Sequence, residues 1–439
     1  MTTMHTPAHT PAHSSARTSG PAGEQSCCRD FAMSRRSILQ GAAALGGTMA
    51  LTQMFGDALM QSTFAGTKGG NTLVVLSLRG GIDGLGVVVP HGDAGYYKAR
   101  PTTAVPKSSV VCADAMFGLH PKMAPLAPFW KSGELAAVQA VGLPVANRSH
   151  FSAIEEIEDA DPGSDLRTGW INRMIGLGST DKPTDAVQLG QAYPTTATSG
   201  PRSVLATSSL DGLKVPALDG YETQRYSSLT TAWGAASGPM ARGAAEAVNV
   251  SKTAGSTIAA VPATTTAYPT AWNADPFATP LKSAARLIRA DLGTDVIAID
   301  AGAWDYHSGY GTLQWGSMQS SVDGLAQSLA AFLTDLGELR SRVTVVTISE
   351  FGRRVTENGS QGFDHGWGNM MLVAGAGVKG GKYYGQWPGL DSTSLADGDL
   401  KVTTDYRNVL GEIVTRRFAD RSVPGLFPGL SYSPLGFMA

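Results

Sequence analysis

Acidic residues and histidines follow several stretches of this chain that we predict to be buried strands. The apolar runs 71–78, 295–299 and 343–348 are typical of parallel strands buried on both faces. The carboxyl ends of such strands meet at one edge of a sheet, where α/β proteins bind ligands. Carboxylates and imidazoles gathered there are typical ligands of Zn²⁺ or Mn²⁺, and carboxylates also of Mg²⁺ and Ca²⁺. We therefore predict a divalent-metal site formed by Asp83, Asp305, His307, Glu350, Asp364 and His365.

Each of these residues also has a purely structural interpretation. A single histidine is more often a hydrogen-bonded structural residue than a metal ligand, and Asp83 could simply cap the turn in which it lies. Arg353 and Arg354, which follow Glu350, could bind an anion or could neutralise the acidic residues. The repetition at consecutive strand ends favours a functional site over a series of unrelated structural roles.

A second group of candidates lies between a predicted strand at 135–141 and the predicted helix that follows it. The N-terminus of a helix presents free N–H groups and a positive dipole end to an anion. Arg148 could bind a phosphate or sulfate with its planar guanidinium, and Ser149 and His150 lie beside it. We therefore predict three catalytic residues here, Arg148, Ser149 and His150. Ser149 or Asn147 could equally serve only as the helix cap.

The order of predicted elements indicates one α/β domain over residues 66–439. Predicted helices at 280–291 and 317–339 alternate with the buried strands, and strand–helix–strand units imply right-handed crossovers and a parallel sheet. We expect a three-layer α/β/α sandwich with a mainly parallel central sheet. Residues 176–280 are rich in Ser, Thr, Ala and Gly and show weak periodicity. We predict an inserted cap region there, which could bind substrate or merely elaborate the surface.

The composition excludes some classes of function. The 439 residues carry a net charge of −2, and no basic stripe indicates nucleic-acid binding. Three cysteines are present, of which Cys27 and Cys28 lie near the N-terminus and Cys112 lies far from them. No Cys-x-x-Cys pair indicates structural zinc. Cys112 is expected to be a small apolar residue, or else a reactive thiol.

The N-terminal segment shows the features of an export signal in their usual order. Residues 1–33 are rich in Thr, Pro, Ala, His and Ser, which is typical of disorder. Arg35 and Arg36 then precede a short apolar run at 41–51, as in twin-arginine signals; a surface helix with two arginines is the alternative. The run is too short to span a bilayer. We predict a leader and signal peptide over 1–65, transport by the twin-arginine translocase, and a periplasmic or secreted mature protein without a membrane span.

Several motifs together resemble the domain of unknown function 1501 family. They are LSLRGGIDGLGVVVPHGD, LHPKMAPL, NRSHFSA, GAWDYHSGY, ISEFGRRVTENGSQGFDHGWGN, VKGGKYYGQWPGL and TTDYR. The resemblance spans about 71–429 and is weakest at 176–280. That family consists of exported bacterial proteins and more distantly resembles the alkaline phosphatase and sulfatase superfamily. This implies an alkaline-phosphatase-like sandwich with two divalent metals on Asp and His residues at strand ends.

The resemblance also implies roles for particular residues. The resemblance implies a metal ligand after the first strand, which here is Asp83. It implies an aspartate–histidine pair, here Asp305 and His307, and a later histidine region, here Asp364 and His365. Glu350 stands where the superfamily has the aspartate of an Asp-His pair, but the next residue is Phe351 instead of histidine. The Cys-x-Pro-x-Arg motif of sulfatases is absent, because Pro144 occupies the cysteine position relative to Arg148. The nucleophile that the resemblance implies would then be Ser149, beside Arg148.

Two functions follow from these patterns. The first is an exported, metal-dependent hydrolase of phosphate or sulfate esters, acting on a small molecule or a glycan. The second is a non-catalytic, sulfatase-like envelope protein that binds a glycan or a protein partner. The altered Glu350–Phe351 pair and the missing nucleophile motif favour the second. Function must be argued from the site itself, so the positions of these side chains decide between them.

Overall fold

A computed structural model describes residues 69–439 of the chain, apart from the side chain of Pro239. The predicted leader and twin-arginine signal lie outside the described residues. The strands are β1 (Thr72–Leu78), β2 (Val88–Val89), β3 (Gly118–Leu119), β4 (Leu135–Gly142), β5 (Ala186–Leu189), β6 (Leu205–Thr207), β7 (Val296–Ala301), β8 (Val343–Ile348), β9 (Asn369–Gly375), β10 (Tyr383–Tyr384) and β11 (Thr404–Asp405). The α-helices are α1 (Gly84–Val87), α2 (Ala94–Ala99), α3 (Ala127–Lys131), α4 (His150–Asp159), α5 (Trp170–Gly176), α6 (Glu222–Gly234), α7 (Pro239–Ala259), α8 (Asp275–Arg289), α9 (Ser317–Asp335), α10 (Tyr406–Arg417) and α11 (Val423–Leu426).

One large sheet organises the part of the chain at 69–439. Its strand order is β10–β4–β9–β8–β1–β7–β5–β6, and β11 pairs with the end of β4. The neighbours from β8 to β6 are parallel, whereas β9 runs antiparallel to both β8 and β4. Because β9 reverses the direction twice, β4 points the same way as β8. The predicted mainly parallel sheet is confirmed, and its carboxyl edge collects the ends of β1, β4, β7 and β8.

Helices cover both faces of this sheet, as the apolar run of β1 predicts. Leu76 of β1 packs in a buried cluster with Leu281 of α8 and Leu325 of α9. Val75, which points to the opposite face, packs in a second cluster that contains Val409 of α10. The three-layer α/β/α sandwich is therefore confirmed. Within 69–439, none of the helices is both long and apolar enough to cross a membrane.

The segment 176–280 differs from the inserted cap that we expected there. It supplies β5 and β6, which extend the parallel sheet beyond β7. Leu229 of α6 and Val248 of α7 pack in the same buried cluster as Val187 of β5. The segment thus builds one end of the sheet and covers one of its faces. Strands of four and three residues are too short to show a clear period in the sequence.

Two predicted helices have different limits in the structure. Helix α8 begins at Asp275, so Pro280 lies inside it and not at its start. Helix α9 ends at Asp335, and a 3-10 helix at Gly337–Arg342 continues to β8. Gly337 has a positive φ of 53°, which glycine adopts easily and which ends the regular α-helix.

Candidate metal centre

Three imidazoles and one carboxylate converge at the carboxyl edge of the sheet. The Nε2 atoms of His150, His307 and His365 lie 3.4, 3.1 and 3.4 Å from Oδ1 of Asp305. The Nε2 atoms of His307 and His365 are 2.9 Å apart. We call these four residues the imidazole cluster. Sequence analysis predicted three of them as metal ligands and placed His150 in the catalytic group instead.

The strand order explains why these four side chains meet. His150 opens α4 after β4, Asp305 and His307 follow β7, and His365 lies in the loop between β8 and β9. The main-chain N–H of Trp304 donates to the carbonyl of Arg79, 3.0 Å away, and so ties the loop after β7 to the end of β1. A Cβ atom on Gly80 would lie 2.7 Å from that Trp304 nitrogen. Glycine is therefore required at the turn after β1.

Each imidazole is oriented by a hydrogen bond on its other nitrogen. His150 Nδ1 lies 2.8 Å from Glu350 Oε1, and His307 Nδ1 lies 2.9 Å from Asp364 Oδ1. His365 Nδ1 lies 2.7 Å from the main-chain oxygen of Arg148. Carbonyl and carboxylate oxygens can only accept hydrogen bonds, so each Nδ1 carries the proton. In the neutral rings, all three Nε2 lone pairs then point into the cluster.

The pKa values of the orienting acids support this assignment. Burial alone would raise the pKa of Glu350, but hydrogen bonds from His150 and from the main-chain N–H of Gly80 outweigh burial and lower it. The pKa of Asp364 is lowered by hydrogen bonds from His307 and Asn358. Both acids are therefore ionised acceptors at neutral pH. Glu350 and Asp364, predicted as ligands, instead hold the ligand candidates from behind, as outer partners do in known metal sites.

Asp305 is held in place by Arg353. Arg353 Nη2 donates to Asp305 Oδ1 at 2.6 Å, and the same guanidinium donates to the carbonyls of Gly81 and Phe363. Burial would raise the pKa of Asp305, but Arg353 reverses this effect and lowers it. Since the Arg353 side chain is only 2% exposed, it serves the neutralising role considered for it and not that of an anion clamp. Arg354 contacts the carboxylates of Asp397 and Asp399.

Three of the donor atoms, those of His150, Asp305 and His365, are spaced as ligands of one metal ion. Bonds of about 2.0–2.1 Å to four ligands separate the ligand atoms by about 3.3 Å, and the three distances to Asp305 Oδ1 are 3.1–3.4 Å. The ligand atoms of His150, Asp305 and His365 lie within 4.8 Å of one another and could hold an ion. The His150 Nε2 atom is buried and makes no hydrogen bond to the described residues. A set rich in imidazole suits Zn²⁺ or Mn²⁺ better than Mg²⁺ or Ca²⁺, which take oxygen ligands.

Asp83, predicted as the first-strand ligand, is not part of the imidazole cluster. Arg100 binds both of its oxygens, Oδ2 at 2.5 Å and Oδ1 at 2.9 Å, and the Tyr310 hydroxyl donates to Oδ2 at 2.6 Å. The side chains of Asp83 and Arg100 are 2% and 1% exposed. This buried ion pair accounts for the acid after β1. Sequence spacing alone does not reveal it, because Arg100 reaches Asp83 from beyond α2.

The residues beside His150 make contacts that we did not predict. Arg148 binds Asp399 Oδ2 through Nε at 2.9 Å, so its guanidinium is occupied. The Ser149 side chain is exposed, and its hydroxyl makes no hydrogen bond within 69–439. Instead, Asn147 Oδ1 accepts from the Ser149 main-chain N–H at 3.1 Å and helps start α4. The structure therefore brings His150, but neither the Arg148 guanidinium nor the Ser149 hydroxyl, into the cluster.

Phe351 forms the wall behind two of the imidazoles. Its ring centroid lies 4.8 Å from that of His150 and 4.8 Å from that of His365. The side chain is buried. A Cβ atom on Gly81 would approach the Phe351 ring to 2.5 Å, so the glycine makes room for it. Phe351, which stands where the sequence resemblance led us to expect a histidine, thus positions other histidines by packing.

The fold and the cluster define an α/β sandwich protein with a candidate metal centre at the carboxyl edge of its sheet. The model of the family described as "Protein of unknown function (DUF1501)" matches residues 115–410. The chain therefore belongs to this family, as its motifs indicated. A search of curated proteins finds no match.

Three solved structures resemble the chain at low similarity. The lipoteichoic acid synthase LtaP from Listeria monocytogenes is 8% identical with a TM-score of 0.32, over 81% of this chain and 80% of that one. The PsFucS1 sulfatase from Pseudoalteromonas sp. is 12% identical with a TM-score of 0.30, over 79% and 68%. A protein in the alkaline phosphatase superfamily from Vibrio parahaemolyticus is 9% identical with a TM-score of 0.26, over 78% and 70%. At such scores the likeness says nothing about activity.

The substitution Arg100→Ala tests the structural role of the buried pair. We expect it to lower the free energy of unfolding by about 3–5 kcal/mol, because Asp83 keeps a buried charge without its counter-charge. Urea denaturation followed by circular dichroism measures the change. Lys98→Ala, at an exposed position of α2, is the control and should stay within about 0.5 kcal/mol of the wild type. Equal stability of the two variants would contradict this role.

Proposed function

We propose that this chain is an exported, metal-dependent hydrolase of phosphate or sulfate esters. The observation that carries the proposal is the convergence of three imidazole Nε2 atoms on one carboxylate oxygen, with every Nδ1 already bound to an acceptor. The choice of ester is supported by the motifs that resemble the alkaline phosphatase and sulfatase superfamily. Export is supported by Arg35 and Arg36 ahead of an apolar run.

The imidazole cluster would hold one divalent ion, Zn²⁺ or Mn²⁺, through His150, Asp305 and His365, which leaves a fourth position open beside His307. When bound, such an ion polarises an ester oxygen and lowers the pKa of water. The family resemblance implies two ions, but Asp83 is bound on both oxygens by Arg100. Phe351 stands in place of a further histidine. A single ion therefore suits these residues better than a pair.

The chain's own residues would fix the geometry around this ion. Glu350, Asp364 and the Arg148 carbonyl keep the protons on the three Nδ1 atoms, so that the Nε2 lone pairs stay available. The side chains of Asp305 and His307 are 46% and 43% exposed. This open side gives an ester group direct access to the cluster. Catalytic metal sites keep such an open position.

We propose water as the nucleophile, because neither nearby serine is placed for attack. Ser349 Oγ is buried, donates to the carbonyl of Leu78 at 2.8 Å and accepts from the N–H of Ile82 at 3.2 Å. Ser149 is exposed and has no base within hydrogen-bond distance among the described residues. A serine nucleophile needs an adjacent base for activation, and the nearest imidazole, His150, is committed to Glu350 and to the cluster.

One observation favours the non-catalytic alternative. With His307 as a fourth donor, the protein would satisfy a tetrahedral ion completely, as in structural zinc sites. A closed site of this kind would stabilise the loops at the carboxyl edge and leave the protein to bind a glycan or a protein partner. The exposure of Asp305 and His307 favours the open, catalytic form. Assays of metal content and of turnover separate the two functions.

Metal analysis tests the centre itself. We expect purified protein loaded with Zn²⁺ or Mn²⁺ to retain close to one ion per chain, as measured by plasma mass spectrometry after dialysis. Asp305→Asn should lose the ion, because it removes the anionic ligand and leaves an amide. Asp211→Asn, an exposed acid outside the cluster that pairs with Arg286, is the matched control. Folded wild-type protein that binds neither ion would refute the metal centre.

Turnover tests the proposed reaction. Metal-loaded protein is expected to hydrolyse 4-nitrophenyl phosphate or 4-nitrophenyl sulfate, with release of 4-nitrophenol followed by absorbance. His365→Ala should lower kcat/KM by more than about 100-fold, because it removes a ligand and not merely an outer partner. Ser149→Ala should keep most of the activity if water is the nucleophile. Metal-loaded wild type that turns over no ester in a broad panel would point to the non-catalytic alternative.

Cell fractionation tests export. Replacement of Arg35 and Arg36 by lysines should retain the protein in the cytoplasm, because twin-arginine signals are read by their arginine pair. Immunoblots of periplasmic and cytoplasmic fractions measure the distribution. The lysine variant of a second arginine pair, the exposed Arg416 and the half-buried Arg417, provides the control. Unchanged export of the Arg35 and Arg36 variant would exclude the twin-arginine route.

A further inference from the structure

A cavity of about 440 Å³ lies beside the imidazole cluster at the carboxyl edge of the sheet. This volume falls within the range of roughly 300–1,000 Å³ that small-ligand sites occupy. Six residues define what we call the aromatic pocket: Arg79, Phe151, Glu158, Gln191, Tyr193 and Asp300. They come from the ends of β1, β5 and β7 and from α4, and the proposed function assigns none of them.

The aromatic pocket and the imidazole cluster share their backbone supports. Phe151 directly follows His150 in the first turn of α4. Arg79 directly precedes Gly80, whose N–H donates to Glu350, the acid that orients His150. A molecule bound in the pocket would therefore extend towards the open side of the cluster. This is the arrangement expected of a reacting centre and the subsite for the body of its substrate.

Two aromatic rings in this pocket face solvent. Phe151 is 86% exposed and Tyr193 is 62% exposed. Burial of apolar surface stabilises a protein by roughly 25 cal/mol for every Å² removed from water, and an exposed ring lacks this stabilisation. Two exposed rings at one cavity therefore indicate a surface for a ligand. Their flat faces suit a ligand with an exposed layer of C–H groups. Sugar rings present such a layer between their hydroxyl groups.

Planar polar groups line the floor of the pocket and hold one another in position. Arg79 forms ion pairs with Glu158 and Asp300, and Gln191 Nε2 donates to Asp300 Oδ2 at 2.6 Å. Burial raises the pKa of Glu158 to about 7, although the charge of Arg79 opposes the rise. At neutral pH this carboxyl can therefore donate as well as accept a hydrogen bond. Neighbouring hydroxyl groups on a ring both donate and accept hydrogen bonds, so they are bound best by donors and acceptors that are already fixed in position.

The charge of the pocket excludes an anionic ligand group. Arg79 is the cation among the lining residues, whereas Glu158, Asp300 and the rim residue Glu155 are acids. The charge of Arg79 is already shared between Glu158 and Asp300, and Glu155 is paired to Arg167 outside the pocket, so no free positive charge remains for an anion. A phosphate or sulfate would be repelled here and directed to the imidazole cluster. The part of the substrate that enters the pocket must be neutral or cationic.

We propose that the aromatic pocket binds a sugar ring, and that the ester cleaved at the imidazole cluster is a phosphate or sulfate carried by that sugar. The binding of a sugar ring does not depend on the proposed function, whereas the cleavage of its ester rests on that function. Aromatic faces pack against the C–H groups of the ring, while Asp300, Glu158 and Gln191 take its hydroxyls. The ester group then lies on the side of His150.

Binding of unesterified sugars tests the pocket without any turnover. The purified protein is titrated calorimetrically with the methyl glycosides of glucose, galactose, mannose, fucose and N-acetylglucosamine, and with tetramethylammonium as a cationic comparison. At least one glycoside should bind saturably. Phe151→Ala and Tyr193→Ala should each weaken that binding about tenfold, since stacking on an aromatic face contributes on that order. Tyr221→Ala, an equally exposed tyrosine of the entry to α6, should leave it unchanged.

The outcomes separate this proposal from the proposed function. Absence of saturable binding by every glycoside, equal binding by the wild type and both pocket variants, or binding of tetramethylammonium alone overturns the sugar assignment. Turnover then gives the second readout, the ratio of kcat/KM for a sugar phosphate or sugar sulfate to that for the 4-nitrophenyl ester. Phe151→Ala should lower this ratio about tenfold. Glycosides that bind without any ester being hydrolysed would support the pocket and overturn the esterase half.

Discussion

The mutual repulsion of four electron-rich atoms is the constraint on which the carboxyl edge of this protein depends. Three imidazole Nε2 atoms lie within 3.4 Å of one carboxylate oxygen, and two of them are 2.9 Å apart. Protonation of a ring at Nε2 as well would relieve part of this repulsion, and so would a small cation between His150, Asp305 and His365, whose ligand atoms lie within 4.8 Å of one another. Arg353 neutralises Asp305 from one side only. The hydrogen bonds at Nδ1 keep the rings from turning away, so the arrangement is built to receive positive charge.

The rest of the fold supplies rigid positions for these atoms. Parallel strands β1, β7 and β8 end at one edge, and the reversal through β9 brings β4 and α4 to the same edge. Arg353 links the turn after β1 to the loops that carry Asp305 and Phe363 through one guanidinium. Phe351 supports two imidazole faces by packing. Its side chain has no atom that could bind a metal, and it packs as a fixed wall behind the two rings. For the proposed function, one ion therefore suits the site better than two.

Sequence patterns predicted the sheet well and the site in part, for physical reasons that differ between residues. The buried runs at β1 and β8 are continuous and apolar, so burial alone identifies them. Asp305, His307 and His365 follow strand ends, and the carboxyl ends of parallel strands meet at one edge of a sheet, so the sequence predicts that they lie together. The same rule included Asp83, because the pattern cannot show that Arg100 turns back to neutralise it. The same rule does not separate a ligand from the acid behind it: Glu350 and Asp364, predicted as ligands, accept hydrogen bonds from His150 and His307. The strands β5 and β6 form by pairing next to β7. They are too short to show a period in the sequence.

The contrast between the two neighbouring sites follows from their charges. At the imidazole cluster, Glu350 and Asp364 stand behind His150 and His307, and the Nε2 lone pairs point into the cluster, where a bound cation would attract an anion. In the aromatic pocket, carboxyls face the cavity and Arg79 is already shared between Glu158 and Asp300, so an anion gains nothing there. The proposed substrate, with one anionic end and one neutral, hydroxylated end, would be oriented in a single direction by this contrast. His150 belongs to the imidazole cluster and Phe151 to the aromatic pocket, and the two are adjacent in the chain. The two environments therefore meet between consecutive residues.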